Sequence, residues 1–151
     1  MANYIETRIR YDKIRENGAV KKTTESYLVD ALSFTEAEAR IIEEQRPFIT
    51  GDFTVSAVKK SNVAEIHRDE SGDKWYRCKL MFIAIDERTG AEKRAPTIIM
   101  VQAPDFKTAY NNLLEHMKGS MADFDVAEIS ETKIMDVYDD KYSVATDVNQ
   151  K

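Results

Sequence analysis

A single cysteine, Cys78, stands in a chain of 151 residues. One thiol closes no disulfide within the chain, so the fold must hold by packing, and a reducing cytoplasm is the expected compartment. The only histidines are His67 and His116. No His-x3-His, His-Glu-x-x-His or paired-cysteine spacing occurs, so none of the usual zinc motifs is present and no metal or cofactor is expected. With five glycines, the sequence has no phosphate-cradling Gly-rich loop, no dinucleotide fingerprint and no nucleophile elbow. No apolar run approaches the ~18–20 residues of a membrane-spanning helix. The opening Met1-Ala2-Asn3-Tyr4 lacks the layout of a signal peptide. Positive charge is not in excess either: the net charge is −5, which argues against general nucleic-acid binding, because counterion release needs clustered bases.

What the chain does have is a repeat. Residues 18–45 lie over 90–117 without a gap, with eight identities: Gly18/Gly90, Ala19/Ala91, Lys21/Lys93, Val29/Val101, Ala31/Ala103, Phe34/Phe106, Ala37/Ala109 and Glu43/Glu115. A one-residue shift then aligns Phe53–Asp69 with Phe124–Asp140 and Tyr4–Tyr11 with Trp75–Phe82. Self-similarity at a fixed period decides the reading of the whole fold.

Each copy reads strand, strand, helix, strand. Ile5, Thr7, Ile9 and Tyr11 alternate with Glu6, Arg8 and Arg10, the period of a half-buried strand. Glu16-Asn17-Gly18 and Arg88-Thr89-Gly90 are hairpin turns, and the return strands are Lys21–Ala31 and Glu92–Ala103. Thr35 with Glu38 suggests a capping box opening a first helix at about Glu36, which Pro47 stops. Asp105 is the expected N-cap of the second, and Gly119 closes it. Phe34, Ala37, Ile41 and Ile42 in one helix, and Phe106, Ala109, Leu113, Leu114 and Met117 in the other, are the expected buried stripes. Phe53–Lys60, continued through Val63–His67, forms the third strand, and Asp123–Val137 forms its counterpart.

The fold class is therefore α+β: a tandem ββαβ repeat with pseudo-two-fold symmetry, built of antiparallel sheet and two helices. Within a repeat the strand order is expected to be 2-1-3, all antiparallel. Two half-size units bury too little alone. One fused domain over 1–138 is expected, made of repeats at about 3–69 and 74–140. Residues 139–151 read as a polar tail.

Few side chains suggest chemistry. His67 in Glu65-Ile66-His67-Arg68-Asp69 could act as a general base with a carboxylate partner, but a surface strand-end histidine is the preferred reading. His116 sits late in a helix, where a cation suits the macrodipole. The two histidines are not repeat equivalents: His67 aligns with Tyr138, and His116 with Glu44. Cys78 aligns with Thr7 on an inward face and reads as a buried free thiol. Asp136, Asp139 and Asp140, with Glu65 and Asp69, read as solvated acidic strand ends or as a hard-cation site.

The basic positions repeat. Lys21-Lys22 coincides with Lys93-Arg94, and Arg8 with Lys79. Two such dyads would clamp a ligand with two phosphates. Trp75, with Tyr76, Tyr4 and Tyr11, would stack on a base. The bland alternative is that these cations only protect exposed strands.

The tracts Ser26-Tyr27-Leu28-Val29-Asp30-Ala31-Leu32-Ser33-Phe34-Thr35-Glu36-Ala37-Glu38-Ala39-Arg40, Gly72-Asp73-Lys74-Trp75-Tyr76 and Met117-Lys118-Gly119-Ser120-Met121-Ala122-Asp123 resemble a family of small domain-of-unknown-function proteins of Bacteroides-type bacteria and their phages. The resemblance runs to about Val137. It implies an accessory role on phages or mobile elements and carries over no catalytic residue.

The expected function is a non-enzymatic binding protein that sequesters a small anionic, nucleotide-type ligand. The ligand would lie at the pseudo-two-fold axis or between subunits of a homo-oligomer. The alternative is a protein-interaction or structural accessory protein using sheet edges and the C-terminal tail. A phosphodiesterase-like enzyme using His67 is a third option. No membrane partner is expected.

Overall fold

The computed structural model describes residues 3–140. The elements run β1 (Tyr4–Ile14), β2 (Val20–Asp30), α1 (Phe34–Gln45), β3 (Phe53–Lys60), β4 (Val63–His67), β5 (Lys74–Ile85), β6 (Glu92–Ala103), α2 (Phe106–His116), β7 (Asp123–Glu131) and β8 (Ile134–Tyr138). A 3-10 turn, Arg46–Phe48, follows α1, with Pro47 denying the helix its next donor.

The protein is α+β, with two helices and two four-stranded sheets, ordered β3-β1-β2-β8 and β4-β6-β5-β7. The expected 2-1-3 antiparallel core of each repeat is present as β2-β1-β3 and as β6-β5-β7. Two expectations fail at the ends of the repeats. Phe53–His67 is not one continued strand but two, β3 and β4, in different sheets. Asp123–Val137 likewise divides into β7 and β8. The sheets are also mixed rather than all antiparallel, because β4 pairs parallel with β6 and β8 pairs parallel with β2. Each repeat thus gives its last strand to the other repeat's sheet. The chain divides accordingly into one unit of residues 1–61 with 133–151 and another of 62–132. The tail expected at 139–151 begins in ordered structure, since Asp139 is buried and its carbonyl accepts from Arg40 Nη2. Residues 141–151 lie outside the described residues.

The repeat survives in fine detail. Both hairpins turn on a glycine with positive φ, Gly18 at 82° and Gly90 at 72°. Each turn has a side-chain brace: Asn17 Oδ1 accepts from Ala19 N, and Thr89 Oγ1 from Ala91 N. A register shift falls at Arg8/Ile9 against β3 and at the equivalent Lys79/Leu80 against β7. Val55 and Val126 then sit opposite Ile9 and Leu80, as the alignment requires.

Helix α1 starts two residues before the expected position. Its cap is Ser33, whose Oγ accepts from Glu36 N, while Glu36 Oε2 accepts from Leu32 N. Asp105 caps α2 as expected, accepting from Thr108 N. Phe34 and its equivalent Phe106 each stand at the first helical position, directly after the cap, and both are exposed rather than buried. Leu114 is exposed too. The real contacts are the small residues Ala37 and Ala109, both 0% exposed, with Ile41 and Leu113 one turn on.

Each unit has its own core on the helix side of its sheet. In the first, Ile5, Ile9, Tyr27, Val29, Ala31 and Tyr138 meet Ala37 and Ile41. In the second, Tyr76, Cys78, Leu80, Ile99 and Val101 meet Ala109 and Leu113. Cys78 and its equivalent Thr7 are both fully buried, and Thr7 Oγ1 donates to the Tyr27 carbonyl.

Two stability measurements check this packing. Ala109→Glu, or Ala37→Glu, places an unpaired carboxylate where helix meets sheet and is expected to destabilise by more than about 4 kcal/mol. Wild-type thermal unfolding of either variant would show that the buried helix face is misassigned. Gly72 lies so close to β6 that a Cβ there would fall 2.4 Å from the Ala103 carbonyl carbon. Gly72→Ala is therefore expected to cost about 1–3 kcal/mol in urea unfolding. An unchanged midpoint would mean that the Gly72 loop stands off the strand.

Candidate functional site

Strand geometry separates the proposed basic dyads. Successive side chains on a strand point to opposite faces. Lys21 therefore shares the helix-side face with Tyr27 and Val29, and Lys22 faces the other way. In β1, Lys13 lies directly across from Lys21, and Asp12 across from Lys22. Lys13, Arg15, Lys21, Lys22, Thr23 and Thr24 line an open concavity of about 450 Å³ at the first hairpin. No ion pair engages these four cations among the described residues. Like charges held directly across a strand pair cost stability unless something neutralises them.

The second hairpin differs. Across from Lys93 stands Ala84 instead of a lysine. Arg94 is already occupied, its Nη1 3.0 Å from Asp125 Oδ2 and its Nη2 3.4 Å from Glu92 Oε1. The two dyads are equivalent in sequence and in their own charge, and differ in the residues around them.

The other expected contributors are placed away from such a role. Trp75 is 1% exposed, with the Arg68 guanidinium carbon 5.8 Å from its ring centroid. Tyr4 and Tyr76 are buried as well, so these three rings present no face to a base. Tyr11 is half-buried, and burial together with Glu25 raises its hydroxyl pKa. Arg8 is partly exposed, 3.9 Å from Glu6, which Lys59 also approaches at 3.2 Å. Lys79 is half-buried on β5. Cys78 is buried, and burial pushes its thiol up to about 12, which disfavours the thiolate.

One cluster escaped the sequence reading. β4 crosses into the second unit and lies beside β6, which brings His67 against His116 on the last turn of α2. Their Nδ1 atoms are 3.3 Å apart, with the ring planes at 90° and the centroids 5.3 Å apart. Glu65, two residues before His67 and so on the same face of β4, places Oε1 3.6 Å from His116 Nε2. Burial, then His116, lowers the pKa of His67, while Asp69 and Glu115 pull it back up. Just beyond, Asp69 Oδ2 accepts from Asn112 Nδ2 at 2.8 Å, and Oδ1 accepts from Ser71 Oγ at 2.6 Å. Those bonds hold the Asp69 carboxyl below the usual carboxylate range. Gln102 ties the loop to the sheet, accepting from Asp69 N and donating to the Gly72 carbonyl.

In the first unit the equivalent place holds other chemistry. Tyr138 stands where His67 does and accepts from Gln45 Nε2 at 2.7 Å, next to buried Glu44, the counterpart of His116. The clue available in sequence was this alignment: two histidines, each matched by a non-histidine in the other copy. It pairs them only once β4 and α2 are placed together.

The sequence pattern of the family described as Domain of unknown function (DUF4494) matches residues 3–141. The chain belongs to that family. No curated protein and no solved structure matches it. The matched span takes in both units, so the strand exchange and the histidine pair both lie within the DUF4494 domain.

The lowered pKa of His67 sets a pH dependence. Unfolded, the imidazole takes a proton at its ordinary value near 6.5, whereas folded it resists until lower pH. Its stabilising contribution is full above the unfolded value and falls as pH drops below it. Urea unfolding at pH 7.5, 6.5 and 5.5 in the presence of a chelator is expected to show that loss, and His67→Gln to flatten it. A wild-type slope in the variant would place the titrating group elsewhere.

Proposed function

We propose that this protein is a non-catalytic binding module that takes a small, multiply charged anion at its first hairpin. The observation that carries this is the open concavity lined by Lys13, Arg15, Lys21 and Lys22, with no ion pair among the described residues, and by Thr23 and Thr24. Charge-assisted hydrogen bonds from lysine and arginine recognise phosphate well. The Lys13–Lys21 opposition is relieved when an anion binds. The ligand class is a small molecule bearing two or more phosphates, the phosphate part of a nucleotide-type ligand. The inaccessible thiol of Cys78 favours binding over covalent chemistry. Such a module suits an accessory, sequestering role in a reducing cytoplasm, of the kind that phages and mobile elements carry.

A second reading has one observation behind it. Leu32 is 87% exposed, and with Phe34, Ile5, Asn3, Ser33 and Lys60 it lines a concavity of about 360 Å³. Exposed apolar residues around a groove favour a protein partner.

Calorimetric titration with pyrophosphate and a panel of linear and cyclic nucleotides tests the first reading. Each lost charge-assisted bond is worth roughly 1.5–3 kcal/mol, so Lys21→Ala/Lys22→Ala is expected to weaken binding at least about tenfold. Lys93→Ala/Arg94→Ala is expected to change it little, because Asp125 and Glu92 already hold Arg94. If the wild-type protein binds none of these anions, or binds them equally well after the first double substitution, the hairpin cations only solvate the strand ends. The protein-partner reading then leads.

A further inference from the structure

The geometry points to a transition-metal site in the second unit, in which the Nδ1 atoms of His67 and His116 bind one divalent ion of the Zn2+, Ni2+ or Cu2+ type. Three features carry this. The first is spacing. Two nitrogens at about 2.0–2.1 Å from a tetrahedral ion stand about 3.3–3.4 Å apart, and the two Nδ1 atoms are 3.3 Å apart. The rings are perpendicular, with centroids 5.3 Å apart, so each presents its nitrogen edge rather than its face.

The second is the carboxylate behind the pair. Glu65 Oε1 lies 3.6 Å from Nε2 of His116, on the far side of that ring from His67. A carboxylate there favours Nε2–H and leaves the Nδ1 lone pair facing His67. Carboxylates behind metal-bound histidines orient the ring in the same way. Without metal, the neutral pair is satisfied by His67 Nδ1–H donating to His116 Nδ1. Binding moves the His67 proton to Nε2 through solvent, and both Nδ1 lone pairs then meet the ion.

The third is access and charge. His116 keeps a side-chain exposure of 20% and Glu65 of 55%, so solvent reaches the pair. Glu65, Asp69 and Glu115 surround the imidazoles with negative charge. Among the described residues no group of three or more His, Cys, Asp or Glu gathers to hold a metal ion. The protein therefore supplies two ligands, and water or a further ligand supplies the others. Imidazole donors select zinc, nickel and copper over magnesium and calcium.

The test uses the full chain after chelator treatment, titrated calorimetrically with Zn2+ and Ni2+ at pH 7.5. One saturable site per chain is expected. His67→Gln and His116→Gln are each expected to weaken it at least tenfold. Glu65→Gln keeps both ligands and, as a positioning change, is expected to weaken it by about tenfold. Mg2+ should not compete. Should either histidine variant unfold, NMR of the wild-type imidazole nitrogens replaces it: Zn2+ must shift Nδ1 of both His67 and His116 at one equivalent. Overturning results are no saturable uptake of either ion, wild-type affinity in both folded histidine variants, or imidazole nitrogens that Zn2+ leaves unmoved.

Discussion

Parallel pairing of β4 with β6, and of β8 with β2, is the contact on which the rest of this structure depends. A ββαβ repeat on its own makes a three-stranded antiparallel sheet with β2 or β6 at an open edge. An unpaired edge is a liability, because its backbone donors and acceptors seek another strand. Here each open edge is closed by the last strand of the other repeat. The exchanged strands also bring core with them: Tyr138 of β8 packs among Ile5, Tyr27 and Val29, and its hydroxyl is held by Gln45.

Much of the local structure was legible in the sequence, because local structure is written in short-range terms. Alternation gave β1, the repeat alignment carried it to β5, and the glycines at 18 and 90 gave the hairpins. The alignment gave the equivalence of Thr7 with Cys78 and of Ala37 with Ala109, all buried. The start of α1 was misplaced because two overlapping capping boxes compete, Ser33 with Glu36 and Thr35 with Glu38, and pattern alone does not rank them. Phe34 and Phe106 are exposed because each directly follows its cap, off the stripe that Ala37 and Ile41, or Ala109 and Leu113, bury. The exchange of β4 and β8 was not legible, because strand composition does not say which edge a strand will find. Reading Val63–His67 as a continuation of β3 kept His67 in its own repeat and hid its partner.

The two candidate sites share a pattern. Duplication supplies a scaffold twice, and chemistry arises where the copies have diverged. At the strand end beside the helix, one unit has tyrosine, glutamate and glutamine, and the other has two histidines. At the hairpin, one copy opposes Lys13 and Lys21, while the other has Ala84 opposite Lys93 and ties Arg94 to acids. Symmetry was the right guide to the fold, and it does not carry over to the ion pairs at the two hairpins. Identical placement of Lys22 and Arg94 in the backbone says nothing of the carboxylates around each.

The strand exchange also fixes an order of assembly on the ribosome. Domains are generally completed from the N-terminus as the chain emerges. The unit of residues 62–132 is continuous and has all four of its strands once β7 is out. The other unit has β1, β2 and β3 ahead of that one in the chain, yet waits for β8 before its sheet is whole. The unit that starts first is therefore finished last, and during that interval the outer edge of β2 stands without its neighbour.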